Sequence, residues 1–228
     1  MLLSLLHRKY CDGVDLNCGC PQRWAIQEGY GCSLLSKPEI VKDLILQARN
    51  RISKPFTVSA KIRILPDLRK SIDLCKQLES AGASFLTVHG RTPVQRTEPV
   101  NIAALCEIRK SVALPLIANG DVKTLKGAEK LQKDTGYQGV MSARGILQNP
   151  ALYSGVDITP LSCIETWIKL GIESKMNFHW FHHHLSLMLE KTLPKCERKI
   201  LTNLKTHADV AEHMSTLLNI KVPKNINF

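Results

Sequence analysis

The sequence predicts an α/β fold: a partial (β/α)8 TIM barrel, strands four to eight, followed by a small all-helical C-terminal domain. Three observations predict it. Five short apolar runs alternate with helix-like segments, and successive run ends stand roughly 25–45 residues apart, as βα units require. The runs are rich in Val, Ile, Leu and Ala and read as continuous rather than alternating, which suits strands buried on both faces of a parallel sheet. After Asn149-Pro150 the strand-like runs stop and only helical periodicity continues. An open doubly wound sheet is the rival reading. It is disfavoured because no Gly-x-Gly-x-x-Gly follows the first run. The last two run ends, Asn119-Gly120-Asp121 and Arg144-Gly145, also match the usual barrel phosphate position after strands seven and eight.

Taken in order, Met1–Leu6 reads as a fragment of helix leading into the first strand, without the basic segment and cleavage site of a secretory signal. Gly13–Leu16 is the first strand, and it ends in Asn17, Cys18, Gly19, Cys20, Pro21. A helix is predicted over Pro38–Ser53, with Ser36 as its N-cap and Pro38 in its first turn. The strand Thr57–Ala60 ends in Lys61, Ile62, Arg63. The helix Leu68–Ala81 stops at Gly82. The strand Ser84–Val88 ends in His89, Gly90, Arg91, Thr92, and a helix over Asn101–Val112 follows. The strand Leu114–Ala118 ends in Asn119, Gly120, Asp121, and the helix Thr124–Thr135 stops at Gly136. The last strand, Gly139–Ala143, ends in Arg144, Gly145. Residues 151–160 read as a linker, and helices are predicted over Cys163–Leu170, Phe178–Thr192 and Glu197–Leu218, with a frayed end at Ile220–Phe228. The predicted domains are 1–155 and 156–228.

The chain has 228 residues, 44% hydrophobic and only 5% aromatic, so its core must be aliphatic. No apolar stretch is long enough to span a bilayer. The formal charge is +11. It is uneven: residues 151–228 carry 9 Lys/Arg against 7 Asp/Glu, which leaves +9 on residues 1–150. That balance favours a polyanionic partner, a nucleic acid being the most economical, over a small anionic ligand. Eight irregularly spaced cysteines do not form a disulfide framework, and an intracellular, reducing compartment follows, cytoplasm or nucleus. Paired C-x-x-C knuckles are missing around Cys11, Cys18, Cys20 and Cys32, so no metal site is assigned there.

In a parallel βα array all five polar run ends share one face. Cys20, between Gly19 and Pro21, is the candidate nucleophile or general acid, in a mobile loop near the turn marked by Gly29, Gly31 and Cys32. Cys18 reads as packing. Lys61 and Arg63 alternate and reach the same side; a buried Lys there needs an anion or an electron-rich ring. His89 is a hydrogen-bonding candidate and Arg91 a phosphate partner. Asn119, Gly120, Asp121, Ala143 and Arg144 precede helices and offer backbone N–H groups and a guanidinium to a phosphate. His179, His182, His183 and His184 read as surface histidines of a helix, some touching RNA, rather than a metal site.

The ordered set Asp15-Leu16-Asn17-Cys18-Gly19-Cys20-Pro21-Gln22, Glu28-Gly29-Tyr30-Gly31, Leu34-Leu35, Lys61-Ile62-Arg63, Val88-His89-Gly90-Arg91-Thr92, Ala118-Asn119-Gly120-Asp121, Arg144-Gly145 and Asn149-Pro150 resembles the tRNA-dihydrouridine synthases. Cys18–Trp24 looks closest to their eukaryotic fourth class, the tRNA U20a/U20b type. The resemblance runs from about residue 12 to residue 218. It implies an FMN-bound barrel and a helical tRNA-binding domain, which reduce a D-loop uridine of tRNA to 5,6-dihydrouridine with NADPH or NADH as reductant. It further implies Cys20 as the proton donor to C5. Lys61 and His89 would stand at the flavin ring, with Asn119, Gly120, Asp121, Ala143 and Arg144 at its phosphate. Asn17, Arg63 and Arg91 would stand at the substrate. The family's strands one to three, with their Ala-Pro-Met segment and flavin-touching Gln, have no counterpart here. An open sheet of five strands would keep an unpaired edge. Two rivals follow: a catalytically impaired RNA-binding or regulatory fragment of such an enzyme, and a flavin barrel acting on a small molecule. No membrane association and no obligate protein partner is predicted.

Overall fold

The computed structural model describes residues 11–52 and 55–221. The readings made at Met1–Leu6, at Ser53 and over the last seven residues lie outside the described residues. The chain divides into two compact units, 1–121 with 128–141, and 122–127 with 142–228.

The first unit holds five strands: β1 (Gly13–Cys18), β2 (Thr57–Arg63), β3 (Leu86–His89), β4 (Leu116–Asn119) and β5 (Gly139–Met141). They pair in parallel in strict chain order, β1 to β5. A doubly wound sheet reverses its order part-way across. Unbroken order is the arrangement of a (β/α)8 barrel wall, so the partial-barrel reading holds and the rival falls. The intervening helices are α1 (Arg23–Gln27), α2 (Pro38–Arg51), α3 (Leu68–Ser80), α4 (Ile102–Ser111) and α5 (Leu125–Thr135), with a 3₁₀ turn at Gly31–Ser36.

Local chemistry explains most boundaries. Pro38 opens α2, but Ser36 does not cap it: its hydroxyl donates to Ser33 O, and Lys37 stands at the cap without a side-chain bond. Asp67 caps α3 by accepting from the Arg69 N–H, and Asn101 caps α4 by accepting from the Ala104 N–H. Gly82 and Gly136 follow α3 and α5 in the left-handed region, as helix-terminating glycines do.

The strands alternate more than their composition suggests. Val58, Ala60 and Ile62 of β2, with Leu86, Val88, Leu116 and Ala118, are buried together with the apolar stripes Val41/Ile45/Ala48 of α2, Leu74/Cys75/Leu78 of α3 and Leu105/Ile108 of α4. The intervening residues carry the polar set to the other face: Asp15 and Asn17, then Ser59, Lys61 and Arg63, then Thr87 and His89, then Asn119. Period two is hidden because small residues such as Ser59 and Thr87 look neutral in a list of composition.

The second unit is helical: α6 (Arg144–Gln148), a 3₁₀ turn at Leu152–Ser154, α7 (Leu161–Glu173), α8 (Phe178–Met188), α9 (Lys195–Asn203) and α10 (His207–Leu218). Its core joins Ile164, Ile168 and Ile172 to Phe181, Leu185, Leu201, Val210 and Met214. The single helix expected over Glu197–Leu218 is two. Thr206 breaks it by accepting the Asp209 N–H, an N-cap three residues ahead of an acidic side chain. Ile220, expected in a frayed end, is buried in that core.

Candidate active site

The thiol loop is built on Asn17. As β1 ends, the Asn17 Oδ1 accepts from the Gly19 N–H at 3.1 Å and the Cys20 N–H at 3.2 Å. This side-chain turn swings Cys20 out of the strand. The chain then returns at Gly31, where φ is 59° and an added Cβ would stand 2.4 Å from the Cys20 carbonyl oxygen. Only glycine fits there. The Cys32 N–H donates to that same oxygen at 2.9 Å. Cys20 is therefore pinned from both sides, and the mobile loop expected at this point is a tied one. The Asn17 side-chain oxygen is consumed by this turn, which makes Asn17 a holder of the thiol loop rather than a substrate contact through that atom.

Register brings the remaining groups together. Asn17 stands opposite Lys61, and Arg63, His89 and Asn119 form one row across β2, β3 and β4. Among the described residues no hydrogen bond or ion pair holds the Lys61 ammonium. Burial, then the Arg63 guanidinium, pulls its pKa down, while Asp15 and Cys20 oppose. The thiol of Cys20 is thus within electrostatic reach of both Lys61 and Arg63. The His89 imidazole is driven down to about 3 by burial and by the cations Arg63, Lys61 and Arg91, so it is neutral at physiological pH. Its Nε2 is buried and makes no hydrogen bond. Buried polar atoms are nearly always paired, so this atom calls for a ligand. Gly120, φ 136°, lies against the same ring: an added Cβ would stand 3.2 Å from His89 Cδ2 and 2.6 Å from Val100 Cγ2.

The two arginines expected at the substrate are held by other parts of the protein in this structure. The Arg63 Nε donates to Gly19 O at 2.8 Å, and its Nη1 donates to Thr92 O at 3.1 Å and Gln95 O at 3.3 Å. It stitches the thiol loop to the loop after β3. Arg91 is 1% exposed; its guanidinium donates to the Asp121 carboxylate and to Glu98 O. The Arg91 guanidinium is thus enclosed and held by an ion pair. Asp121 in turn holds Arg91, from a backbone with φ 52°. Opposite charges at the ends of neighbouring strands β3 and β4 were the available signal for this pair. Asn119 is buried and donates from Nδ2 to Met141 O at 2.8 Å.

Ala143 and Arg144 belong to the second unit. Ala143 caps α6, and Arg144 begins it. Gly145 is locked in place, since an added Cβ would stand 2.2 Å from Val122 O. In the same unit the histidine run is only partly on the surface. His179 and His183 are exposed and stacked at 6.3 Å, whereas His182 donates from Nε2 to Leu201 O at 2.8 Å and His184 lies against Trp167. Among the described residues no group of His, Cys, Asp and Glu is placed to hold a metal, and no helix is long and apolar enough to cross a membrane.

The family model described as "Dihydrouridine synthase (Dus)" matches residues 4–219. The chain belongs to the dihydrouridine synthase family. The chain is 45% identical over 213 residues to a mouse protein named "tRNA-dihydrouridine(20a/20b) synthase [NAD(P)+]-like", covering 93% of this chain and 66% of that one. Its human namesake is 44% identical, over 90% of this chain and 65% of that one. A Schizosaccharomyces pombe protein named "tRNA-dihydrouridine(20a/20b) synthase [NAD(P)+]" is 45% identical, over 83% and 58%. The chain thus spans about two thirds of the length of the curated relatives it matches. Within the family, the similarity across most of this chain agrees with the fourth-class resemblance of Cys18–Trp24.

Proposed function

We propose that this dihydrouridine synthase reduces a D-loop uridine of tRNA, of the 20a/20b type, to 5,6-dihydrouridine, with FMN as its flavin and NADPH or NADH as reductant. The observation that carries the reading is the convergence, on one face of one sheet, of a pinned thiol, a lysine without a hydrogen-bond partner and a neutral histidine whose buried Nε2 has no partner among the described residues. The residues fit a flavin: a flat, electron-rich ring answers the needs of both Lys61 and His89, and Gly120 has no Cβ to obstruct an approach to His89. When bound, FMN would supply the hydride that a nicotinamide provides.

The chain's own residues do the rest. The Lys61 ammonium would stabilise negative charge on a ring held beside it. His89, held neutral, would give a bound group one hydrogen bond at Nε2 without adding a fourth cation beside Lys61, Arg63 and Arg91. Asn119 and Gly120 hold the β4 end that carries this wall. Cys20 donates its Sγ proton to C5 as enolate-like charge develops, and the turn closed by Asn17 keeps the sulfur aimed. Arg63 and Arg91 act as positioning residues for the two loops. The roles that the resemblance implies for Ala143 and Arg144 belong to the second unit, and the proposal is built on the first unit alone. The basic balance of residues 1–150 supports a tRNA partner, and the uridine must leave its stack to be reached. Cytoplasm or nucleus, where tRNA is found, is the proposed location.

The purified chain, given FMN, should show flavin absorbance between roughly 350 and 500 nm and form dihydrouridine in a tRNA transcript. Cys20→Ala should keep the colour and the tRNA gel shift and lose the product. A chain that stays colourless with excess FMN but still shifts tRNA overturns the catalytic reading. It would favour an RNA-binding fragment, a reading consistent with β1 having one strand neighbour among the described residues.

A further inference from the structure

Cys32 takes no part in the proposed chemistry, yet it lies beside the thiol on which that chemistry depends. Its N–H donates to the Cys20 carbonyl at 2.9 Å, and a Cβ built on Gly31 would stand 2.9 Å from the Cys20 Cβ. That link sets the two residues' backbones side by side, and a disulfide joins residues whose Cα atoms lie about 4.4–6.8 Å apart. The two thiols also share the Arg63 guanidinium as a neighbour; burial pushes the Cys32 thiol up, with Arg63 opposing and Cys20 adding to the rise. Both residues are half-exposed, so a small solute can reach them. Cys18, two residues before Cys20, does not compete: it is buried, and its thiol is pushed up to about 12.

We propose that Cys20 and Cys32 form an oxidisable pair that a hydroperoxide converts to a disulfide. The Cys20 thiolate attacks one peroxide oxygen. The O–O bond breaks, and with hydrogen peroxide the departing hydroxide takes a proton and leaves as water. Sulfur is oxidised by two electrons and the peroxide is reduced by two. The Cys32 thiolate then attacks the sulfenic sulfur; the S–S bond forms, the S–O bond breaks, and a second water departs. A dithiol reductant returns both thiols by exchange. In the disulfide Cys20 has no proton to give. That consequence for activity rests on the proposed function; formation of the disulfide does not.

Trypsin cuts after Arg23 and leaves Cys20 and Cys32 on separate peptides, 10–23 and 24–42. The full chain is treated with hydrogen peroxide, alkylated and digested without reduction. The expected product is a linked pair of these peptides, two hydrogens lighter than their sum, with fragmentation placing the bond at Cys20 and dithiothreitol abolishing it. In Cys32→Ser the link disappears and Cys20 is instead trapped as sulfenic acid by dimedone. Dihydrouridine formation should be lost on oxidation and recovered with dithiothreitol in the wild type; in Cys32→Ser, prolonged peroxide carries the unprotected Cys20 on to the sulfinic acid, which dithiothreitol does not recover. Two results overturn the pair: Cys20 alkylated as fully after peroxide as before, with no linked peptide, or a link to 24–42 that fragmentation places at Cys11 or Cys18. A chain that forms the link but never reduces uridine overturns the proposed function and leaves the pair standing.

Discussion

Asp121→Asn isolates the charge that holds Arg91. Arg91 is 1% exposed and Asp121 is 40% exposed. The substitution keeps size and shape, and asparagine tolerates the left-handed φ of 52° at this position as aspartate does, so backbone strain is unchanged. What changes is an enclosed guanidinium left without its counter-ion. Breaking a fully buried pair costs about 3–5 kcal/mol, whereas an exposed pair contributes about 1 kcal/mol or less. With one partner enclosed and the other open to water, the expected loss is about 2–3 kcal/mol. For a chain of this size each kcal/mol moves the Tm by about 2–4 °C, so Tm should fall by about 4–12 °C. Thermal unfolding followed by circular dichroism measures it, with urea midpoints as a second readout. A variant within about 0.5 kcal/mol of the wild type would refute the reasoning. Arg91 would then not depend on Asp121, and its role as a substrate contact would reopen.

Other outcomes follow from the same structure. His89 titrates at about 3 in the fold against an ordinary 6.5. The unfolded chain therefore binds the extra proton between those values, and stability present above pH 6.5 is lost as pH falls toward 3. In His89→Gln, urea midpoints across that window should decline less steeply than in the wild type; parallel curves would refute the assignment. Cys18 and Cys75, both pushed to about 12 by burial, should resist iodoacetamide at pH 8 while Cys20 is labelled, as mass mapping of the native chain would read. In α7, a Cβ at Gly171 would stand 2.4 Å from Cδ2 of Phe181, which is 0% exposed. Gly171→Ala should cost about 1–3 kcal/mol by overpacking, measured by urea unfolding.

Much of the fold was legible because its signals are local. Pro38 opens α2, Gly82 and Gly136 close α3 and α5, and each strand was found within a few residues of its place. The misses were also local in origin. Ser36 had the chemistry of a cap but bonds Ser33 instead. The Thr206 break was hidden inside a helical periodicity, although Thr206 and Asp209 stand at cap spacing. The candidate site was legible as a set of residues, since the strand ends carrying Cys20, Lys61, His89 and Asn119 recur in order.

The linear chain by itself determined which residues gather at the C-terminal ends of the strands, because strand spacing and parallel pairing leave few alternatives. It could not say how each side chain is spent. Arg63 and Arg91 look like free cations in a sequence; contacts with residues 29 to 44 positions away turn them into struts. The neutrality of His89 comes from burial and three neighbouring cations, and the meeting of Cys20 with Cys32 comes from a glycine that lets the backbone double back. Those are properties of packing at a distance, which the tertiary structure alone decides.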